Sequence, residues 1–115
     1  MDWIIGELQR EKYLSDQRYA AAYARDKGSL AGWGPKKIAF HLRAKEIAPE
    51  VIKEAMREID GQRAEQKMEE VLLRKWKSLS REENLGKRRM KTVKFALGRG
   101  YSYEEVWDFV KWLEQ

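Results

Sequence analysis

Gly34-Pro35-Lys36-Lys37-Ile38-Ala39-Phe40-His41-Leu42-Arg43-Ala44-Lys45-Glu46-Ile47-Ala48-Pro49 is the stretch on which the fold turns. Pro35 follows a glycine and suits the first position of a helix, where its fixed φ is pre-organised and its missing N–H is not needed. Ile38 and Leu42 then fall one turn apart on one face, with Ala39 beside them and Phe40 off to one side. Pro49 opens another helix in the same way. Ile47 can pack onto Ile52 across its first turn, and Ala55, Met56 and Ile59 extend the apolar face. Two short helices joined by a tight turn are therefore predicted here.

The same reading extends in both directions. Upstream, Leu14-Ser15-Asp16 spells a helix start, with Ser15 capping free amides, Asp16 at the positive end of the dipole and Leu14 packing onto Tyr19. That helix carries Tyr19, Ala20, Tyr23 and Ala24 on one face and fades at Lys27-Gly28. Downstream, residues 62–77 form a helix striped by Met68, Val71, Leu72 and Trp76. Ser80-Arg81-Glu82-Glu83 spells a capping box, and a helix from about Glu82 or Gly86 turns Met90, Val93 and Leu97 inward before Gly98-Arg99-Gly100 stops it. Ser102-Tyr103-Glu104-Glu105 is a second capping box, with Tyr101 packing onto Val106; the last helix runs on through Phe109, Val110 and Leu113. Trp76, Trp107 and Trp112 lie near these core stripes and are assigned to packing.

Internal repetition organises these helices. Ile38, Phe40 and Leu42 recur as Val93, Phe95 and Leu97 at an offset of 55, and Ile47, Ile52, Ala55, Met56 and Ile59 recur as Tyr101, Val106, Phe109, Val110 and Leu113 at 54. One residue is thus expected to be lost at the intervening turn. The fold class is all-α: tandem three-helix, helix-turn-helix-like repeats in an elongated arrangement, with units at residues 13–60 and 61–115. Residues 1–12, with Ile4, Ile5 and Leu8 on one face, read as the last helix of an incomplete earlier unit that needs another surface to pack on.

Composition narrows the function. The 115 residues carry a net charge of +5, a single histidine and no cysteine. Thiol catalysis, disulfides and cysteine zinc sites are excluded, and the lone His41 makes no metal site, so neither metal nor cofactor is expected. The longest uncharged stretch, residues 28–35, is far short of the roughly 20 apolar residues that cross a bilayer, and Asp2 and Glu7 spoil a secretory signal. A soluble cytoplasmic protein, monomeric and without a membrane partner, is the expectation. The glycine-rich run at residues 28–34 lacks both a preceding strand and a G-K-[ST] ending, so it is no phosphate loop. Glu69-Glu70, Glu82-Glu83 and Glu104-Glu105 fall at helix starts or on solvated faces, and no serine sits in a nucleophile elbow. No catalytic residues are assigned: this is not read as an enzyme.

Charge is more informative than its total. Residues 34–45 hold Lys36, Lys37, Arg43 and Lys45 and no acid; residues 84–103 hold Lys87, Arg88, Arg89, Lys91, Lys94 and Arg99 and no acid. The remainder is net negative, so the surplus sits on the middle helix of each unit and points to an anionic partner, either DNA phosphates or an acidic groove on a protein. Helical spacing marks Lys37, Lys45, Arg88, Lys91 and Arg99 as the outward charges, with the stem of Arg43 beside the core. Trp33, in the turn Gly32-Trp33-Gly34-Pro35, either caps the space between helices or projects as an interface anchor.

The runs Tyr13-Leu14-Ser15-Asp16-Gln17-Arg18-Tyr19-Ala20, Gly34-Pro35-Lys36-Lys37-Ile38 and Leu42-Arg43-Ala44-Lys45-Glu46-Ile47, with Arg99-Gly100-Tyr101-Ser102-Tyr103 later, resemble the RecX family of bacterial recombinase regulators. The resemblance implies tandem three-helix units and a non-catalytic protein. It would bind the RecA–DNA filament in its groove, with single- or double-stranded DNA as an open further partner, and restrain recombination, ATPase and coprotease activity in DNA repair and the SOS response. It gives Asp16, Arg18, Tyr19, Gly34, Pro35 and Ile47 structural roles, Asp16 and Arg18 bracing the helix start. Where the family writes glycine after the second helix this chain has Glu46, and that turn is expected to be built differently. The alternative is an autonomous nucleic-acid binder that touches phosphates through its basic helices; a helical adaptor is a third reading.

Overall fold

The computed structural model describes residues 2–115, and the described residues form six α-helices and no strand. They are α1 (Asp2–Arg25), α2 (Pro35–Ala44), α3 (Pro49–Met56), α4 (Gly61–Ser78), α5 (Leu85–Gly98) and α6 (Tyr103–Leu113), with a π-helical turn at Asp26–Leu30. The body measures 69 × 22 × 20 Å, and its radius of gyration of 18.1 Å exceeds the ~13 Å of a compact domain of this size.

Much of that length is α1, whose 24 residues run unbroken. The helix start expected at Ser15 does not occur: Ser15 and the half-buried Asp16 lie in mid-helix, so they brace no N-terminus. Between Glu7 and Lys27 there is neither glycine nor proline. A serine inside a helix costs only a few tenths of a kcal/mol, whereas a break there would leave several amides and carbonyls without partners. In the first third of α1, Trp3, Ile4, Ile5 and Leu8 are all exposed.

Two cores lie along the body. Ala20 and Ala24 of α1, Ile38 and Leu42 of α2, and Ile47, Val51, Ile52 and Ala55 around α3 form the first. Met68 and Leu72 of α4, Val93 and Ala96 of α5, and Tyr101, Val106 and Val110 around α6 form the second. The inward face of α5 is not the one expected. Thr92, Val93 and Ala96 are buried, while Met90 and Leu97 are 50% and 44% exposed. Thr92 is tolerated there because its hydroxyl donates to the Arg88 carbonyl at 2.9 Å. Nor do Ser80 to Glu83 cap α5: Asn84 does, its Oδ1 accepting from the Lys87 amide at 3.0 Å. Trp76 is buried as expected, but Trp112 is 60% exposed. The capping box of Ser102 and Glu105 forms as read.

The turns after α2 and α5 explain the rotation. Ile47 N–H donates to Leu42 O and Glu46 N–H to Arg43 O; Tyr101 N–H donates to Ala96 O and Gly100 N–H to Leu97 O. Both turns are thus the same two-bond C-terminal motif, with Glu46 (φ 62°) and Gly100 (φ 95°) in the left-handed position. Glu46 stands where glycine was expected yet makes the glycine's turn. This register equates Ile38 with Thr92 and Leu42 with Ala96, so the repeat offset is 54 from the second helix onward. The one-residue loss read from Val93, Phe95 and Leu97 does not exist.

The two halves are clasped by backbone. Gly34 N–H donates to Arg99 O at 2.7 Å and Lys36 N–H to Gly100 O at 3.1 Å, so the N-terminus of α2 sits on the C-terminus of α5. A Cβ on Gly34 would fall 2.1 Å from the Gly100 carbonyl carbon, and one on Gly100 would fall 2.4 Å from Lys37 Cβ. Arg99 tightens the clasp, its guanidinium donating to Gly32 O at 2.8 Å and to Ala31 O.

Replacing Glu46 with glycine relieves a left-handed residue at little other cost, and urea unfolding is expected to show a gain of about 0.5–1 kcal/mol. Gly34→Ala is expected to lose more than about 2 kcal/mol, because backbone rather than a side chain blocks the new methyl.

Candidate functional site

The basic side chains singled out from sequence divide into two groups. Arg88 and Arg99 are turned inward rather than outward. Arg88 donates twice to Trp76 O, at 3.1 and 2.7 Å, and its guanidinium lies 4.0 Å from the Trp76 ring centre, closing the end of α4. Arg99 belongs to the clasp. Lys37 is half-buried with its Nζ 4.1 Å from the Trp33 ring centre. Lys91 is exposed but reaches Glu82 at 2.8 Å. That bond, with one from the Asn84 amide, lowers the Glu82 carboxyl below its ordinary range.

The others face water. Lys36 and Arg43 are exposed on α2. Lys45 is exposed, its Nζ 5.6 Å from the Tyr19 ring centre. On α5 the exposed bases are Lys87 and Lys94, together with Lys91; Lys87 and Lys94 escape a wheel centred on Met90 and Leu97. The C-terminal turn motif, applied to both helices, is the signal that finds them.

Trp33 is held rather than projecting. Its ring packs against the first core, edge-on to Tyr23 at 6.1 Å and 5.0 Å from His41, with Lys27 and Lys37 at 4.7 and 4.1 Å from its centre. Among the structural positions, Gly34 and Pro35 form the entry to α2, Ile47 is buried, and Tyr19 stacks on Tyr23 at 5.7 Å. Arg18 is exposed beside a shallow surface lined also by Glu54 and Glu58.

A groove of about 510 Å³ lies between the two halves, walled by Trp33, Pro35, Met56, Ile59, Met68 and Tyr101. The Tyr101 hydroxyl is buried without a hydrogen-bond partner. Burial pushes its phenol up to about 12, with Glu105 adding to the effect and Arg99 opposing it. Among the described residues, no three His, Asp or Glu side chains gather as around a metal ion, and no helix is long and apolar enough to cross a membrane.

Comparison with known proteins matches residues 15–56 to the second three-helix domain of RecX and residues 62–110 to the third. Curated relatives named regulatory protein RecX include one from Bacillus subtilis, 41% identical over 83 residues, which are 70% of this chain and 31% of the relative. Others come from Clostridium botulinum (31% identical, 93% of this chain and 50% of the relative) and Clostridium acetobutylicum (29%, 94% and 51%). The chain therefore spans from about a third to a half of these relatives' length. No solved structure matches it.

Tyr101 provides a pH test. Below its ordinary value near 10 both states hold a neutral phenol; above that the unfolded chain ionises while the folded phenol resists up to about 12. Stability is expected to fall by up to about 2–3 kcal/mol as pH rises through this window. In Tyr101→Phe most of the fall should be lost, the remainder coming from Tyr23, whose phenol burial also raises, with stability at neutral pH unchanged or slightly raised because an unpartnered hydroxyl is gone.

Proposed function

The chain belongs to the RecX family, and on that premise we propose that it is a cytoplasmic, monomeric regulator. It binds a RecA-type recombinase filament on DNA and lowers its exchange, ATPase and coprotease activities by occupying it. The repeat units are residues 13–60 and 61–115. No reaction is assigned to the chain; its chemistry is recognition.

The observation that carries this reading is the placement of charge. The two helices without a single acidic residue, α2 and α5, meet end to end at the clasp, so the helices that carry the exposed Lys36, Arg43, Lys87 and Lys94 are joined directly. Two joined basic helices on an elongated body suit an extended anionic partner better than a compact ligand. Autonomous binding of nucleic acid is the second reading, favoured by the absence of any ion pair to Lys36, Arg43, Lys87 or Lys94 among the described residues.

Co-sedimentation with recombinase filaments on single-stranded DNA, compared with the DNA alone, separates the two. Filament binding and a lowered DNA-dependent ATPase are expected near stoichiometric ratios. The quadruple charge reversal of Lys36, Lys87, Lys94 and Arg43 to glutamate should weaken binding by about tenfold or more. No binding to filaments overturns the regulatory reading; full inhibition by the quadruple variant overturns the role given to these helices.

A further inference from the structure

Equivalent positions on the outward faces of α2 and α5 carry different chemistry. At the offset of 54, Lys36, Phe40 and Arg43 on α2 correspond to Met90, Lys94 and Leu97 on α5. Phe40 is 62% exposed and is the only large hydrophobic side chain that α2 leaves in water. Lys36 and Arg43 lie four residues before it and three after, hence on the same face, and among the described residues neither is held by a carboxylate. No acidic residue occurs anywhere in residues 34–45.

The ring of Phe40 is also anchored. It meets His41 edge-on at 5.7 Å, His41 leans on Trp33 at 5.0 Å, and Trp33 meets Tyr23 edge-on at 6.1 Å. A continuous run of rings thus passes from the first core to the surface and ends on Phe40.

We propose that Phe40, flanked by Lys36 and Arg43, is a stacking site for an unpaired base of single-stranded nucleic acid, the two cations meeting the phosphates on either side. A protein-docking hot spot is ordinarily ringed by further contacts that exclude water, and Phe40 has charge around it instead. An exposed, oriented ring between two cations without ion pairs matches the alternation of base and phosphate along a single strand. In a duplex the base faces are covered by their neighbours, so the ring adds nothing there and only the cations act. The equivalent face of α5 has no aromatic residue, so the site is confined to α2.

The nucleic-acid arms use the whole chain without recombinase, so their failure leaves the filament reading untouched, and a separate arm uses recombinase without DNA. Binding of a fluorescein-labelled oligothymidylate and of a duplex of equal length is followed by anisotropy at several salt concentrations. Phe40→Ala is expected to weaken single-strand binding about 5- to 100-fold, leave duplex binding within about twofold, and keep the salt slope. Phe40→Trp should restore the affinity. Lys36→Gln with Arg43→Gln should weaken both ligands and flatten the single-strand salt slope by about 1.4. Because Phe40 is exposed, thermal midpoints should be unchanged. The site is overturned if the chain does not bind oligothymidylate, if Phe40→Ala binds it normally or loses duplex affinity equally, or if Phe40→Trp fails to rescue. A Phe40→Ala defect seen only with recombinase lacking DNA also overturns it, assigning the ring to protein contact.

Discussion

Two peptide backbones in contact, at Gly34 and Gly100, hold the arrangement together. The N–H groups that open α2 lack partners within their own helix, as do the carbonyls that close α5, and each set satisfies the other across the junction. The helix dipoles meet there with opposite partial charges. Side chains would keep the backbones apart, so the contact needs glycine at both positions. Everything else at the junction follows from this approach: Arg99 reaches back to the carbonyls of Ala31 and Gly32, and Gly32 lies against Val71 and Lys67 of α4.

The clasp also sorts the charges. Three basic side chains are consumed by structure, Arg99 on loop carbonyls, Arg88 on the last turn of α4 and Lys37 across Trp33. Lys36, Arg43, Lys87 and Lys94 are exposed and keep their side-chain donors for solvent or a partner. Arg88 and Arg99 suit their part-buried positions because a planar guanidinium fork can serve two bonds and a ring at once.

Most helices were legible because proline and glycine punctuate the chain and a 3.6-residue period fills the gaps between them. The starts of α2 and α3 at Pro35 and Pro49 and the cap at Ser102 fall where read. Two of the readings that the structure overturns fail for related reasons. Ser15 has the chemistry of a cap, but capping chemistry does not break a helix that nothing else interrupts. In α5, Met90-Val93-Leu97 and Thr92-Val93-Ala96 are neighbouring stripes. Ranking by hydrophobicity chooses the first, whereas the packing of Tyr101 and the clasp of Gly100 choose the second.

By itself the sequence determined the all-helical class, the recurrence of a three-helix unit and the concentration of positive charge on its middle helix, since propensity, turn residues and composition act locally. Only the tertiary structure decided which bases are free to bind, that Glu46 would take a glycine's conformation, and that Phe40 would stand alone on a basic face. Those outcomes depend on how each helix is rotated about its axis. That rotation is settled by contacts between residues distant in the chain, Gly34 against Gly100 above all, to which no local pattern is sensitive.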